Sequence, residues 1–501
     1  MEAENGIVLK NVKCLANGKQ KGVQIAVSGN RAWFTEHVPS GFGEIDLHNS
    51  TLLFGLTDTH CHLVELGFSK KILDLRDVSS IQSLRLKLFS HVQSKKEGEW
   101  VIGRGWDHEK FSEGRFPTKE DIDDVSKSNP TFLKRICGHV GLLNSLAIKV
   151  LGIENERSKL YERDENGNLT GIVKEDALEN VSLIAEKKDT GLCQSYMVDG
   201  QYQAIKHGIT KVHCILSKDS YVEEIEGIRT LASLGQLFVK LRLYLPYDAI
   251  NRKEVWKSLN ENTSVKVNGF KIFADGSLGS RTAALSLPYT DEPENDGILR
   301  YTDTELKEMV EKIDSSGMQA IIHAIGDRAI AQAIDAISSV DSKNRRRHRI
   351  EHASLTPKHL REEMSRKNIP ASVQPHFIAS DTWATKRLGE RISDLYPLRA
   401  FIKEGVVISG GSDAPVEPIN PMLGFWAAVV RPNLDHSEAI SIQDCIKMYT
   451  ENADYNGLDA KNETDFTIFD SDIENIHPSA LRNVRPLIVV VNGKICFQSL
   501  F

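Results

Sequence analysis

The chain has 501 residues, 40% of them hydrophobic and 26% charged, with a formal net charge of −7. That length can bury a large core and favours more than one structural unit, and the negative balance leaves no basic footprint for nucleic acid. The longest apolar runs, such as residues 425–430, are far too short to span a bilayer, and the first residues, with Glu2, Glu4 and Lys10, hold no apolar leader.

Seven scattered cysteines, with no C-x-x-C pair, fit reduced thiols and a cytoplasmic location. The one dense basic run, Arg345-Arg346-Arg347-His348-Arg349, lies just before an apparent strand and reads as a solvated loop.

In chain order, the first 55 residues alternate apolar and polar positions between turn signals. Gly6-Ile7-Val8-Leu9, Val23-Gln24-Ile25-Ala26-Val27, Ala32-Trp33-Phe34 and Thr51-Leu52-Leu53-Phe54 read as short strands. The middle alternates strand and helix. Candidate strands are 54–59, 209–214, 239–244, 269–274, 319–323, 348–352, 371–374 and 406–410, and helical periodicity covers 303–315, 330–338 and 357–368. Eight such units are the count of a (β/α)8 barrel. Four of them fit between Lys271 and Asp413 at barrel spacing, whereas His62 to Lys271 is too long for three, so an insertion is expected there. It contains the strand-like residues 100–107 and 131–135 and the turn Asp164-Glu165-Asn166-Gly167-Asn168. The C-terminal end returns to short strands in 465–469 and 487–491, and Asn492-Gly493 signals a hairpin to 494–497. The expected organisation is a composite β-sandwich from 1–55 plus 455–501, a (β/α)8 barrel from 56–90 plus 190–454, and an insertion subdomain, 91–189, over the active-site mouth.

The chemistry lies at the ends of the candidate barrel strands. His60 and His62 are two apart, so on a strand they share a face and can chelate one ion. His323 closes the run 319–322 and His352 closes 349–351; strand C-terminal ends converge on the catalytic face of a barrel. Asp413 follows Ser409-Gly410-Gly411-Ser412, where glycines allow close backbone approach; it reads either as a ligand or as a helix cap. Lys271 sits inside an apolar strand and must lose its charge or find a partner. One reading pairs it with Asp275; the other lets its neutral amine add CO2, the carbamate then bridging two cations. Cys61 faces away from the two histidines and is assigned to packing.

Taken together these islands resemble the amidohydrolase superfamily, and within it the YtcJ-like branch (amidohydrolase family 3). The motifs are Gly55-Leu56-Thr57-Asp58-Thr59-His60-Cys61-His62, the lysine signature Gly269-Phe270-Lys271-Ile272-Phe273-Ala274-Asp275-Gly276-Ser277-Leu278-Gly279-Ser280-Arg281, His323-Ala324-Ile325-Gly326-Asp327-Arg328-Ala329, His348-Arg349-Ile350-Glu351-His352-Ala353, Gln374-Pro375 with Phe377, and Gly411-Ser412-Asp413-Ala414-Pro415-Val416. Within the insertion Gly138-His139-Val140, Asn144-Ser145 and Gly171-x-Val173-x-Glu175 also match. Phe54 stands where the family has proline, and Lys461-Asn462-Glu463-Thr464 where a longer loop is common.

The resemblance implies a metal-dependent hydrolase acting on carbon–nitrogen, not peptide, bonds, of amide or N-formyl type. His60 and His62 would hold one divalent ion with Asp413, His323 and His352 a second, and carboxylated Lys271 would bridge them. Zinc is expected first, iron and manganese also suiting the set. Asp413 is the expected general acid and base; Trp106, His139, Arg281 and His376 are candidates for the substrate pocket. The alternatives are a deaminase or a carbamate or ester hydrolase on the same scaffold, which Lys271 argues against for deaminases, and a silent regulatory protein, which would have lost ligands. The expected partner is a small-molecule substrate, without nucleic acid or membrane; a homo-oligomer is left open.

Overall fold

The computed structural model describes residues 6–16, 19–48, 50–136, 139–261, 263–341, 343–459 and 464–499. Gly138 and residues 461–463, both singled out above, lie outside them. The chain forms two compact units, one of residues 1–67 and 193–501, the other of Phe68–Leu192.

The core of the first unit is an all-parallel sheet of eight strands: β1 (Thr57–Cys61), β2 (Lys211–Ile215), β3 (Lys240–Pro246), β4 (Val265–Phe273), β5 (Gln319–Ala324), β6 (Arg349–His352), β7 (Ala371–Val373) and β8 (Ile408–Gly410), in that spatial order. β1 and β8 meet to make the sheet barrel-like. Cys61 bridges Ala414 in parallel, the His62 amide donates to Ala414 O at 2.9 Å, and the Asp413 amide donates to His60 O at 2.7 Å. Inside, Thr59 Oγ1 lies 2.8 Å from Ser372 Oγ and 3.0 Å from Gly410 O. Strands buried on both faces need apolar runs such as Ala320-Ile321-Ile322, all fully buried. Helices cover the outside: Asp303–Ser315 starts on a Thr302/Glu305 capping box, and Asp327–Val340 buries an alanine- and isoleucine-rich face.

Both chain ends build a second eight-stranded sheet in this unit, from strands between Ile7 and Phe54 and between Phe466 and Gln498. Its first strand, Ile7–Ala16, pairs with three neighbours, so the sheet bends back on itself around Leu9, Val12, Ile25, Ile468 and Val490. The hairpin at Asn492-Gly493 forms, with φ of 53° and 72° at its two turn residues. A strand at Gly43–Asp46 carries no apolar alternation and is not legible in the sequence.

The second unit holds a six-stranded sheet ordered Tyr161–Arg163, Leu169–Lys174, Val140–Leu143, Thr131–Arg135, Val101–Trp106, Leu73–Asp74. It begins at Phe68, not at 91, because helix Ile81–Val92 packs Ile81, Leu84 and Leu88 into this unit's core.

Candidate metal centre

The barrel strands bring one lysine, one aspartate and four histidines toward a common point. His60 and His62 stand on and just after β1, Lys271 on β4, His323 on β5, His352 at the end of β6 and Asp413 just after β8. Nε2 of His60 and Nε2 of His62 each lie 3.4 Å from the same oxygen, Asp413 Oδ1. Lys271 Nζ lies 3.5 Å from His60 Nε2. The His352 ring centroid is 4.8 Å from that of His60 and 4.5 Å from that of His323. Among the described residues, His60, His352 and Asp413 each offer a ligand atom within 4.8 Å of the others.

Local backbone makes this convergence. Asp413 has φ 57°, His352 φ 70° and Ala353 φ 45°, left-handed values that a non-glycine residue adopts only when its surroundings impose them. Gly411 is required by close approach: a Cβ there would lie 2.6 Å from the His60 amide nitrogen.

The imidazoles are oriented by their outward nitrogens. His60 Nδ1–H donates to Glu351 Oε2 at 2.5 Å, which leaves Nε2 as the free lone pair facing Asp413. Glu351 also accepts from Arg349 Nε at 2.5 Å. Arg349 and Glu351 are fully buried, and Arg349 donates further to Thr59 O and to Nδ1 of His213, both at 2.9 Å. This corrects the reading of the basic run: Arg345 is solvated, with 82% of its side chain exposed, but Arg349 is an interior strut. His323 Nε2–H donates to Gly276 O at 2.9 Å, leaving Nδ1 with its lone pair free. His352 Nδ1 is buried with no hydrogen-bond partner, an uncommon state for an interior nitrogen.

Burial sets the charge states. It drives the His352 pKa well down and the His323 pKa to about 3, with Lys271 among the causes acting in the same direction on both; neutral imidazole is the form that ligates metal. Burial also lowers the Lys271 pKa to about 8, against the pull of Glu351 and Asp413. Asp413 stays well below the usual carboxylate range, since His60, His62 and His352 outweigh its burial. Asp275, the other partner considered for Lys271, is elsewhere engaged, accepting from the amides of Ala284, Ile325 and Gly326 at 2.9–3.1 Å.

Neutral His323 and His352, an ionised carboxylate and an orphaned buried nitrogen are a donor set that fits a divalent cation. Beside it lies a cavity of about 390 Å³, lined by His323, His352 and Asp413 and walled by Leu278, Phe377, Trp383 and Val416.

The residues expected to touch substrate are placed differently. Trp106 is fully buried in the second unit, its indole N–H donating to Leu133 O at 2.8 Å. His139, in the same unit, is exposed and lies 3.1 Å from Glu175. Arg281 is engaged by Asp291 and Glu292. His376 is buried and donates to Asn420 O at 2.9 Å. Neither Arg281 nor His376, both in the first unit, lines the cavity. Conversely Glu351 and Arg349 carried no assigned role, although both stand in the motif that supplied His352. Cys61 packs as expected, fully buried with its thiol toward Ala414 O.

The model of the Amidohydrolase family matches residues 43–497. YtcJ of Bacillus subtilis (strain 168), whose name assigns it to the amidohydrolases, is 31% identical over 91% of this chain and 90% of its own. The N-substituted formamide deformylase of Arthrobacter pascens is 23% identical over 95% and 94%. Among solved structures, an uncharacterized metal-dependent hydrolase of Pyrococcus furiosus is 29% identical with a TM-score of 0.78, covering 94% of this chain and 99% of that one.

Proposed function

Because this chain belongs to the Amidohydrolase family, we propose that it is a metal-dependent hydrolase cleaving a C–N bond of amide or N-formyl type. The observation that carries the reading is the buried cluster of His60, His352 and Asp413 with its partnerless His352 Nδ1. The likeness to the formamide deformylase supports the choice of bond.

His60 and His62 would hold one divalent ion with Asp413, and His323 and His352 a second, with zinc taken ahead of iron and manganese. Such ions supply Lewis-acid polarisation of a carbonyl and lower the pKa of water from about 15.7 toward ~7. Lys271, whose depressed pKa raises the fraction of neutral amine, is the residue to add CO2: its nitrogen forms the new N–C bond and releases a proton, and the carbamate would bridge the pair.

The protein's own groups carry the proton. Asp413, ionised and beside both His60 and His62, accepts the proton of the attacking water and delivers it to the leaving nitrogen as the C–N bond breaks. Glu351 and Arg349 fix the His60 tautomer, as outer partners of metal-binding histidines commonly do. No helix of the described residues is long and apolar enough to cross a membrane. The test is metal analysis of the purified protein combined with a screen of N-formyl and N-acyl amines. Metal-loaded protein that turns over none of them, but cleaves a carbamate, an ester or an amidine-type ring, would move the assignment within the family.

A further inference from the structure

The wall of the cavity contains a carboxylate, Asp381, that no cation among the described residues pairs with directly. Asp381 follows the short helix Phe377–Ser380 and lines the cavity with Phe377, Trp383 and Tyr396. Its Oδ2 accepts from Tyr396 Oη–H at 2.5 Å. No lysine or arginine among the described residues forms an ion pair with Asp381. Arg387, on the adjoining helix Ala384–Leu388, favours ionisation of Asp381 through its charge without forming an ion pair with it. Its guanidinium carbon sits 4.1 Å from the Trp383 ring centroid, and its Nη1 donates to Leu278 O at 2.6 Å. Glu417 adds negative charge: it opposes ionisation of Asp381, whose pKa burial pushes up to about 6.

A carboxylate beside aromatic and aliphatic walls is the environment that receives an organic cation: the carboxylate gives the charge pairing and the rings give cation–π attraction. An anionic group would meet Asp381 and Asp413, both of which line the cavity. We infer that this cavity binds an organic ammonium group between Asp381 and the Trp383 and Phe377 rings. The preferred substrates are then amides or formamides that carry a positively charged nitrogen away from the scissile bond. The word amide rests on the function proposed above; the cation site does not.

The test uses binding alone. Metal-loaded protein is titrated calorimetrically with benzyltrimethylammonium, which has no lone pair to ligate a metal, with its uncharged carbon isostere neopentylbenzene, and with benzenesulfonate. The wild type should bind the cation at least tenfold more tightly than either comparator. Asp381→Asn keeps an oxygen for the Tyr396 hydroxyl and should weaken cation binding by about 10- to 100-fold, the scale of a hydrogen bond or pair to a charged group, while leaving the isostere unchanged. Tyr396→Phe keeps the carboxylate and should retain the preference. Equal binding of cation and isostere by the wild type, tighter binding of the sulfonate, no binding of the cation, or an undiminished preference in folded Asp381→Asn each overturns the proposal. The wild-type comparison stands even where a variant fails to fold. Metal content and turnover of the same preparations are read separately, so loss of the hydrolase reading leaves the cation result intact, and the reverse.

Discussion

Replacing Glu351 with glutamine tests whether the metal centre is held by its interior partners. The carboxylate accepts two donors, His60 Nδ1–H and Arg349 Nε–H, each at 2.5 Å. A carboxamide of the same shape has one acceptor oxygen and one NH2, so whichever way it turns, one donor faces another donor. The variant also leaves Arg349, fully buried, without its opposite charge. Breaking one side of a buried pair costs about 3–5 kcal/mol, and losing an outer partner of a metal-binding histidine costs ~10–100-fold in metal affinity. Urea unfolding and competition with a coloured chelator read the two effects separately. Exchanging both residues, Glu351→Leu with Arg349→Met, should recover much of the stability, because no unpaired charge remains, yet leave metal affinity low, because His60 has lost its tautomer lock. Wild-type metal affinity in folded Glu351→Gln would show instead that packing alone orients His60.

Other outcomes follow from the same geometry. Asp413→Asn should keep most of its metal through the amide oxygen and lose activity by ~10²–10⁴-fold or more; near-normal turnover would place the proton carrier elsewhere. Lys271→Ala should lose activity, recover part of it with short carboxylic acids, and lack the CO2 mass increment that native mass spectrometry should show for the wild type. With a Lys271 pKa of about 8 instead of the usual 10.5, the ammonium form dominates below pH 8. Reactivation of metal-free protein by metal at a fixed concentration of dissolved CO2 should therefore speed up as pH rises through about 8 and then level; a rate still climbing past pH 10 would contradict the depressed pKa. Gly411→Ala would press a Cβ to 2.6 Å from the His60 amide nitrogen, so it should cost about 1–3 kcal/mol and weaken metal binding together, read by the same unfolding and chelator assays.

Several barrel strands were legible as apolar runs bounded by turns, and a run such as Ala320-Ile321-Ile322 has few other uses. The residues at their ends were legible because metal-ligand types recurred at successive strand ends. Glu351 was not: strand alternation sets it on the face opposite its neighbour His352, and only the left-handed φ of 70° at His352 lets both serve one centre. Arg349 was hidden in a basic run that opens on the solvated Arg345. Trp106 misled because a tryptophan covering a substrate and one filling a core have the same sequence signature; its burial in the second unit decides for the core. Asp381, Trp383 and Tyr396 come from short helices and loops after β7, where no periodicity marks what faces a cavity. The start of the second unit was misplaced since helix Ile81–Val92 has the same apolar spacing whichever core receives it.

The metal content of the purified chain tests the two-ion centre most directly. Elemental analysis of protein produced with zinc and bicarbonate should find close to two divalent ions per chain, and His60→Ala and His352→Ala should each fold and lose a large share of them. A wild-type protein that retains no tightly bound ion, or histidine variants that hold as much as the wild type, would contradict it.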